Sequence, residues 1–182
     1  MPGNTVLILI VAAVGLAVAS IAGYYIVRFM RGLIKLSLGR TAFNAGDTIS
    51  GSFELLVKRP IQGNKLTVSL ICQEVTRTRH GGKTRTRTEE VYRDEKIIED
   101  ARSYQPGHKA THEFEIKAPD FGSRQVPQEV ANSAIFQAIG TAARFLGNTR
   151  SYLKWRVEAR LDAKGVDLAA SRKVTVNVPH RL

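Results

Sequence analysis

The chain has 182 residues, 43% of them hydrophobic, with a formal net charge of +11 and one cysteine. That length holds one domain and an appendage, not two sandwich-sized domains. The single Cys72 excludes an internal disulfide, which agrees with a reducing compartment, and the strong positive charge directs attention to anionic membrane surfaces, nucleic acid and acidic proteins.

The first feature in chain order is a run of 23 residues without charge, Thr5 to Val27. A helix rising ~1.5 Å per residue needs roughly 20 residues to cross a ~30 Å hydrocarbon core. Tyr24 and Tyr25 close the run where aromatic rings prefer headgroup level, and Arg28, Arg31, Lys35 and Arg40 follow. Ala17-Val18-Ala19 resembles a signal-peptide cleavage site, but the preceding residues 1–4 carry no Lys or Arg and the apolar run continues past it. A buried core helix of this length at a chain end is also disfavoured. The expectation is a retained single-pass anchor over residues 1–32. The positive flank places residues 33–182 on the cytoplasmic side of an inner or cytoplasmic membrane. Gly15, Ala19 and Gly23, four apart, form a small-residue stripe that lets another transmembrane helix approach closely.

After Gly32 the period changes from helical to alternating. Ile34, Leu36 and Leu38 alternate with Lys35 and Ser37; a turn at Asn44-Ala45-Gly46-Asp47 precedes Ile49, Gly51, Phe53, Leu55 and Val57. Lys58-Arg59-Pro60 and Gln62-Gly63-Asn64 read as one loop, followed by Leu66, Val68, Leu70 and Cys72. A fourth run passes through Val91 and Tyr92 to Ile97 and Ile98, and Pro106-Gly107 turns into His112, Phe114 and Ile116. Ser151 to Asp162 alternates most cleanly, with Leu153, Trp155, Val157, Ala159 and Leu161 on one side. Val174, Val176 and Val178 end the series. About seven strands of period 2 with short polar turns predict an all-β antiparallel sandwich with one wet face per sheet.

Residues 127–147 break that period. Val130, Ala134, Ile135, Ala138, Ile139, Ala142 and Leu146 are spaced three and four apart, with Pro127 at the start and Gly147-Asn148 at the end. This predicts an inserted helix of about five turns. Its stripe either caps an open end of the sheets or meets a partner through Ile135, Ile139 and Leu146.

The order of features resembles the N-terminal half of the arrestin-like β-sandwich, in particular the arrestin-like domains of bacterial membrane-anchored proteins. "FNAGDTISGSFEL" (43–55) looks like the family's opening turn and strand, and "LTVSLICQEVTR" like its long third strand. "YQPGHKATHEFEIKAP" (104–119) looks like the strand ending in Phe-x-hydrophobic-x-x-Pro, and residues 152–176 like the closing hairpin. The resemblance implies an immunoglobulin-like antiparallel scaffold that binds proteins through sheet edges and loops. Only one sandwich fits the chain and the predicted helix is not at the family's usual place, so receptor binding is not implied.

The segment Thr76 to Thr88 sets Arg77, Arg79, Lys83, Arg85 and Arg87 around Gly81-Gly82. A two-residue turn of type I′ or II′ pairs His80 with Lys83, Arg79 with Thr84, Thr78 with Arg85, Arg77 with Thr86 and Thr76 with Arg87. Nearly every cation then faces a threonine, whereas a one-residue slip sets Arg against Arg. Both faces are polar, so the hairpin must project into water. It serves as a solvated arm protected from edge pairing, or it contacts anionic headgroups or an acidic partner. Nucleic acid is the weaker alternative, because Tyr92 is the only nearby aromatic in sequence.

Candidate chemistry is sparse. His108 and His112 are four apart at a turn and strand start, with no Cys or acidic cluster to complete a metal site, and Cys72 reads as an apolar core filler. No phosphate-binding loop, nucleophile elbow or metalloprotease motif is present, and no cofactor is implied. The expected function is therefore non-catalytic. The chain reads as a membrane-anchored scaffold, adaptor or accessory subunit that binds other subunits or copies of itself through the basic hairpin and the inserted helix. The alternative is a basic peripheral domain binding anionic lipid or nucleic acid directly, which salt would weaken steeply.

Overall fold

A computed structural model describes residues 3–120 and 149–177. The helix α1 (Gly3–Arg31) has Arg28 and Arg31 in its last turn, where cations complement the carbonyl end of the helix. Over Ile10–Arg31 its mean hydropathy reaches 2.2 with none of it buried, so it is long and apolar enough to cross a membrane by length and composition.

The helix gives way to strand without a linker. β1 (Gly32–Leu38) pairs antiparallel with β3 (Thr48–Val57), which pairs antiparallel with β7 (Lys109–Lys117). This three-stranded sheet faces a larger one with the order β2-β9-β8-β4-β5. Its members are β2 (Ala42–Asn44), β4 (Ile61–His80), β5 (Lys83–Glu99), β8 (Thr149–Ala163) and β9 (Leu168–Asn177). β6 (Arg102–Tyr104) pairs with the start of β4, and β2 joins β9 in parallel. The two three-residue strands account for nine described strands where period 2 predicts about seven: three residues are too few to display a period.

The core lies where period 2 puts it. Phe53, Leu55 and Val57 from the small sheet meet Leu66, Val68, Leu70, Val157, Ala159 and Leu161 from the large one, all essentially inaccessible to solvent. Burial of each large side chain contributes on the order of 1.5–3 kcal/mol before entropy is counted.

Two expectations are corrected. Gln62-Gly63-Asn64 is not loop but the start of β4, with a register shift at Gly63/Lys65. Ile61 and Gly63 are buried while Gln62 and Asn64 are exposed, so the alternation is present but hidden by glycine at an inward position. A Cβ there would stand 2.8 Å from the Tyr104 ring and 2.9 Å from Leu161. Second, the outer face of the large sheet is not uniformly wet. Thr67, Ser69, Ile71 and Val75 of β4 are buried on it. Ile71 sits between Arg93 of β5 and Arg156 of β8, long side chains engaged with Glu90 and Glu158. With Lys65–Glu95 and Arg160–Asp167, these ion pairs roof the central strand.

Candidate functional site

The hairpin is the far end of the two longest strands. β4 begins at Ile61 and runs 20 residues to His80; β5 returns from Lys83. The register is Arg79 opposite Thr84, Thr78 opposite Arg85, Arg77 opposite Thr86 and Thr76 opposite Arg87, as the threonine spacing predicts. Gly81 and Gly82 both have positive φ, 57° and 78°, which selects type I′ over II′. Residues opposite each other share a face. Arg77 and Arg79 therefore lie on one face of the arm, and Lys83, Arg85 and Arg87 on the other.

Arg77, Thr78, Arg79 and every residue from Gly81 to Glu90 are exposed. Arg87 reaches Glu89 at 3.0 Å with both side chains largely in water, a pair of little energetic weight. Among the described residues no carboxylate pairs with Arg77, Arg79, Lys83 or Arg85.

β8 extends to Thr149, beyond the Ser151 start expected from sequence, and brings a third strand to the base of the arm. Tyr152 stands opposite Val75, with Arg77 and Lys154 each 5.7 Å from its ring centroid. Tyr92 is thus not the only aromatic near the arm. Tyr152 shares the outward parity of Lys154 and Arg156, but its proximity to Arg77 depends on non-local strand pairing that no local pattern reveals.

Residues 121–148, including the expected helix 127–147 with Ile135, Ile139 and Leu146, lie outside the described residues. The chain leaves at Asp120 and returns at Thr149, opposite Thr78. Both points are at the end of the sandwich away from α1, since Gly46 and Asp47 before β3 bond to Pro119 and Ala118 there. In α1, Gly15 and Gly23 have nothing within 4 Å of a built Cβ and Ala19 is exposed, so the small-residue stripe is open.

At the other end α1 is fastened to the sandwich. Arg31 donates to the carbonyls of Val166 and Lys164, at 3.0 and 2.9 Å, in the β8–β9 turn. Arg28 donates to the Ala169 carbonyl, and the Arg31 carbonyl accepts from the Lys58 amide at 2.8 Å.

Apart from Cys72, the remaining polar groups of interest meet around Glu99. His112 stacks on Phe53 at 5.1 Å, with Nε2 3.7 Å from Glu99; His108 lies against Tyr104 at 5.3 Å. Tyr104 donates to Glu99 at 2.7 Å, and burial followed by that carboxylate raises its phenol well above the ordinary value. Cys72 is buried, and burial, then the nearby Glu74 charge, pushes its thiol up to about 12. Among the described residues no three His, Cys, Asp or Glu side chains are placed to hold a metal ion.

No family model matches the sequence, and no curated protein matches it. A solved structure does: the sporulation control protein Spo0M from Bacillus subtilis, at a TM-score of 0.52 and 12% identity, over 81% of this chain and 49% of that one. The chain thus spans about half the length of that protein. The likeness is one of fold. Spo0M has an arrestin-like fold, and this chain is an all-β, mostly antiparallel arrestin-like sandwich behind one apolar N-terminal helix.

Proposed function

We propose that the protein is a single-pass, membrane-anchored scaffold without catalytic activity. It serves as an adaptor or accessory subunit whose sandwich presents a basic arm to protein partners on the cytoplasmic side. The observation that carries this reading is the run of β4 from Ile61, three residues past the joint with α1 at Lys58, to His80 at the arm tip. At ~3.3 Å per residue the strand separates anchor and arm by about 60 Å. A continuous strand with a fastened anchor at one end and, among the described residues, four cations without a carboxylate partner at the other suits a mount that holds a contact surface away from the bilayer. The open stripe of Gly15, Ala19 and Gly23 supports packing of α1 with another transmembrane helix, of its own kind or of a larger complex.

A photo-crosslinking residue at Thr84 in the full chain, in intact cells, tests the reading. Adducts with a defined set of proteins support it, provided they disappear when Arg77, Arg79, Lys83, Arg85 and Arg87 are all replaced by Gln. Adducts with lipid or nucleic acid alone would replace it with the peripheral-domain reading. One observation favours nucleic acid within that second reading: at the base of the arm, Tyr152 offers a ring with Arg77 and Lys154 each 5.7 Å from its centroid.

A further inference from the structure

Three segments distant in sequence converge where α1 ends. The Arg31 carbonyl accepts from the amides of Lys58 and Arg59, at 2.8 and 3.2 Å, in the loop between β3 and β4. The Arg31 guanidinium holds the Lys164 and Val166 carbonyls in the turn between β8 and β9. Lys58, Arg59 and Lys164 are therefore gathered around the helix exit, and all three are exposed. Among the described residues none of them pairs with a carboxylate, and neither do Arg28 and Arg31. Asp167, the acidic residue of the same turn, is occupied by Arg160 and by the Ala163 amide at 3.0 Å.

Their level is fixed by the helix. The Lys58 ammonium lies 3.5 Å from the ring centroid of Phe29. Phe29 and Tyr25 are 65% and 60% exposed, aromatic side chains in the last two turns of the apolar helix, where rings occupy the boundary between acyl chains and headgroups. If α1 crosses a bilayer, cations at that level lie within a Debye length of the lipid phosphates.

We propose that Lys58, Arg59 and Lys164 form a collar that recruits anionic phospholipid headgroups around the exit of α1. The inference rests on the reading that α1 crosses a bilayer. It assigns the lipid contact to the pole opposite the arm. Arg28 and Arg31 donate to the carbonyls of Ala169, Val166 and Lys164 and hold the collar in shape, while Lys58, Arg59 and Lys164 have no carboxylate partner among the described residues.

The test uses the full chain, with a fluorophore on Pro60→Cys or on Thr84→Cys, in vesicles of equal phosphatidylcholine and phosphatidylglycerol. A trace of either lipid carries a headgroup spin label as quencher. At position 60, labelled phosphatidylglycerol should quench about fivefold more than labelled phosphatidylcholine, the enrichment expected from roughly one well-placed cation or more. The ratio should fall to about one in the Lys58→Gln/Arg59→Gln/Lys164→Gln variant and at ~1 M salt. Unchanged quenching by phosphatidylcholine in that variant shows that it remains folded and inserted. Equal quenching by both lipids in the unaltered chain, or a preference that survives the triple replacement, overturns the collar and leaves the anchored scaffold standing. A preference at position 84 instead assigns lipid to the arm and also overturns it. Absence of quenching at position 60, with loss of the chain from the vesicles at alkaline pH, defeats the membrane reading and the collar together.

Discussion

The guanidinium of Arg31, the last residue of α1, donates to the carbonyl of Val166 in the β8–β9 turn at 3.0 Å. With β1 starting at the next residue, no flexible linker separates helix from sandwich. The domain follows the helix directly, and the 20 residues of β4 run from near the joint to the arm tip.

Arg31→Gln removes two charge-assisted bonds, each worth on the order of 1.5–3 kcal/mol when well shielded and less at this partly exposed site. The sandwich itself should melt nearly as before. The distance distribution between spin labels at Ile21 and Gln105, narrow in the unaltered protein, should broaden. An unchanged width would show that the joint does not depend on these bonds.

The arm depends on its turn. An L side chain at positive φ costs about 1–2 kcal/mol per residue, so Gly81→Ala with Gly82→Ala should open the hairpin. Amide exchange from Thr78 to Arg85 should accelerate by about tenfold or more, while that of Val68 and Val157 in the core stays the same. Protection that persists in the arm would mean that something other than the type I′ turn sets its register.

The sequence carried this hairpin well because cation and threonine alternate, so that a one-residue slip sets arginine against arginine, and because Gly81-Gly82 marks the turn. It carried the core equally well: Phe53, Leu55, Leu66, Val68 and Val157 announce themselves by period 2. It hid Gly63, an inward position without a side chain, and Ile71, an outward position covered by Arg93 and Arg156 from neighbouring strands. The grouping of Lys58, Arg59 and Lys164 was also illegible. Each is an ordinary loop cation until the topology brings the β3–β4 and β8–β9 connections to the same end of the molecule.

Burial pushes the Cys72 thiol up to about 12, with the nearby Glu74 charge adding to the effect. At pH 8 almost no thiolate is present, and the side chain is 1% exposed. Alkylation of the folded chain should therefore proceed only at the rate of unfolding and reach completion in denaturant. Rapid labelling without denaturant would show that the packing of β4 against Trp155 is looser than described.

Acid should weaken the sandwich through its outer-face carboxylates. Glu95 is lowered by its 2.6 Å bond to Lys65; Asp167 is lowered because the Ala163 amide and Arg160 outweigh the opposing effect of burial. A depressed carboxylate adds stability above its unfolded-state pKa and loses it as the pH falls through its folded-state pKa. The thermal midpoint should therefore be flat from neutral pH to about pH 5 and decline below about pH 4. Lys65→Gln should reduce the decline. An identical acid profile in that variant would remove Glu95 from the account.

The central claim is an anchored chain with its arm on the cytoplasmic side. Labelling of Thr84→Cys by a membrane-impermeant thiol reagent tests it most directly, because the buried Cys72 stays silent. The account predicts no labelling in intact cells, full labelling once the membrane is opened, and recovery of the labelled chain in membranes washed at alkaline pH. Labelling in intact cells, or recovery of the chain in the soluble fraction, would contradict it.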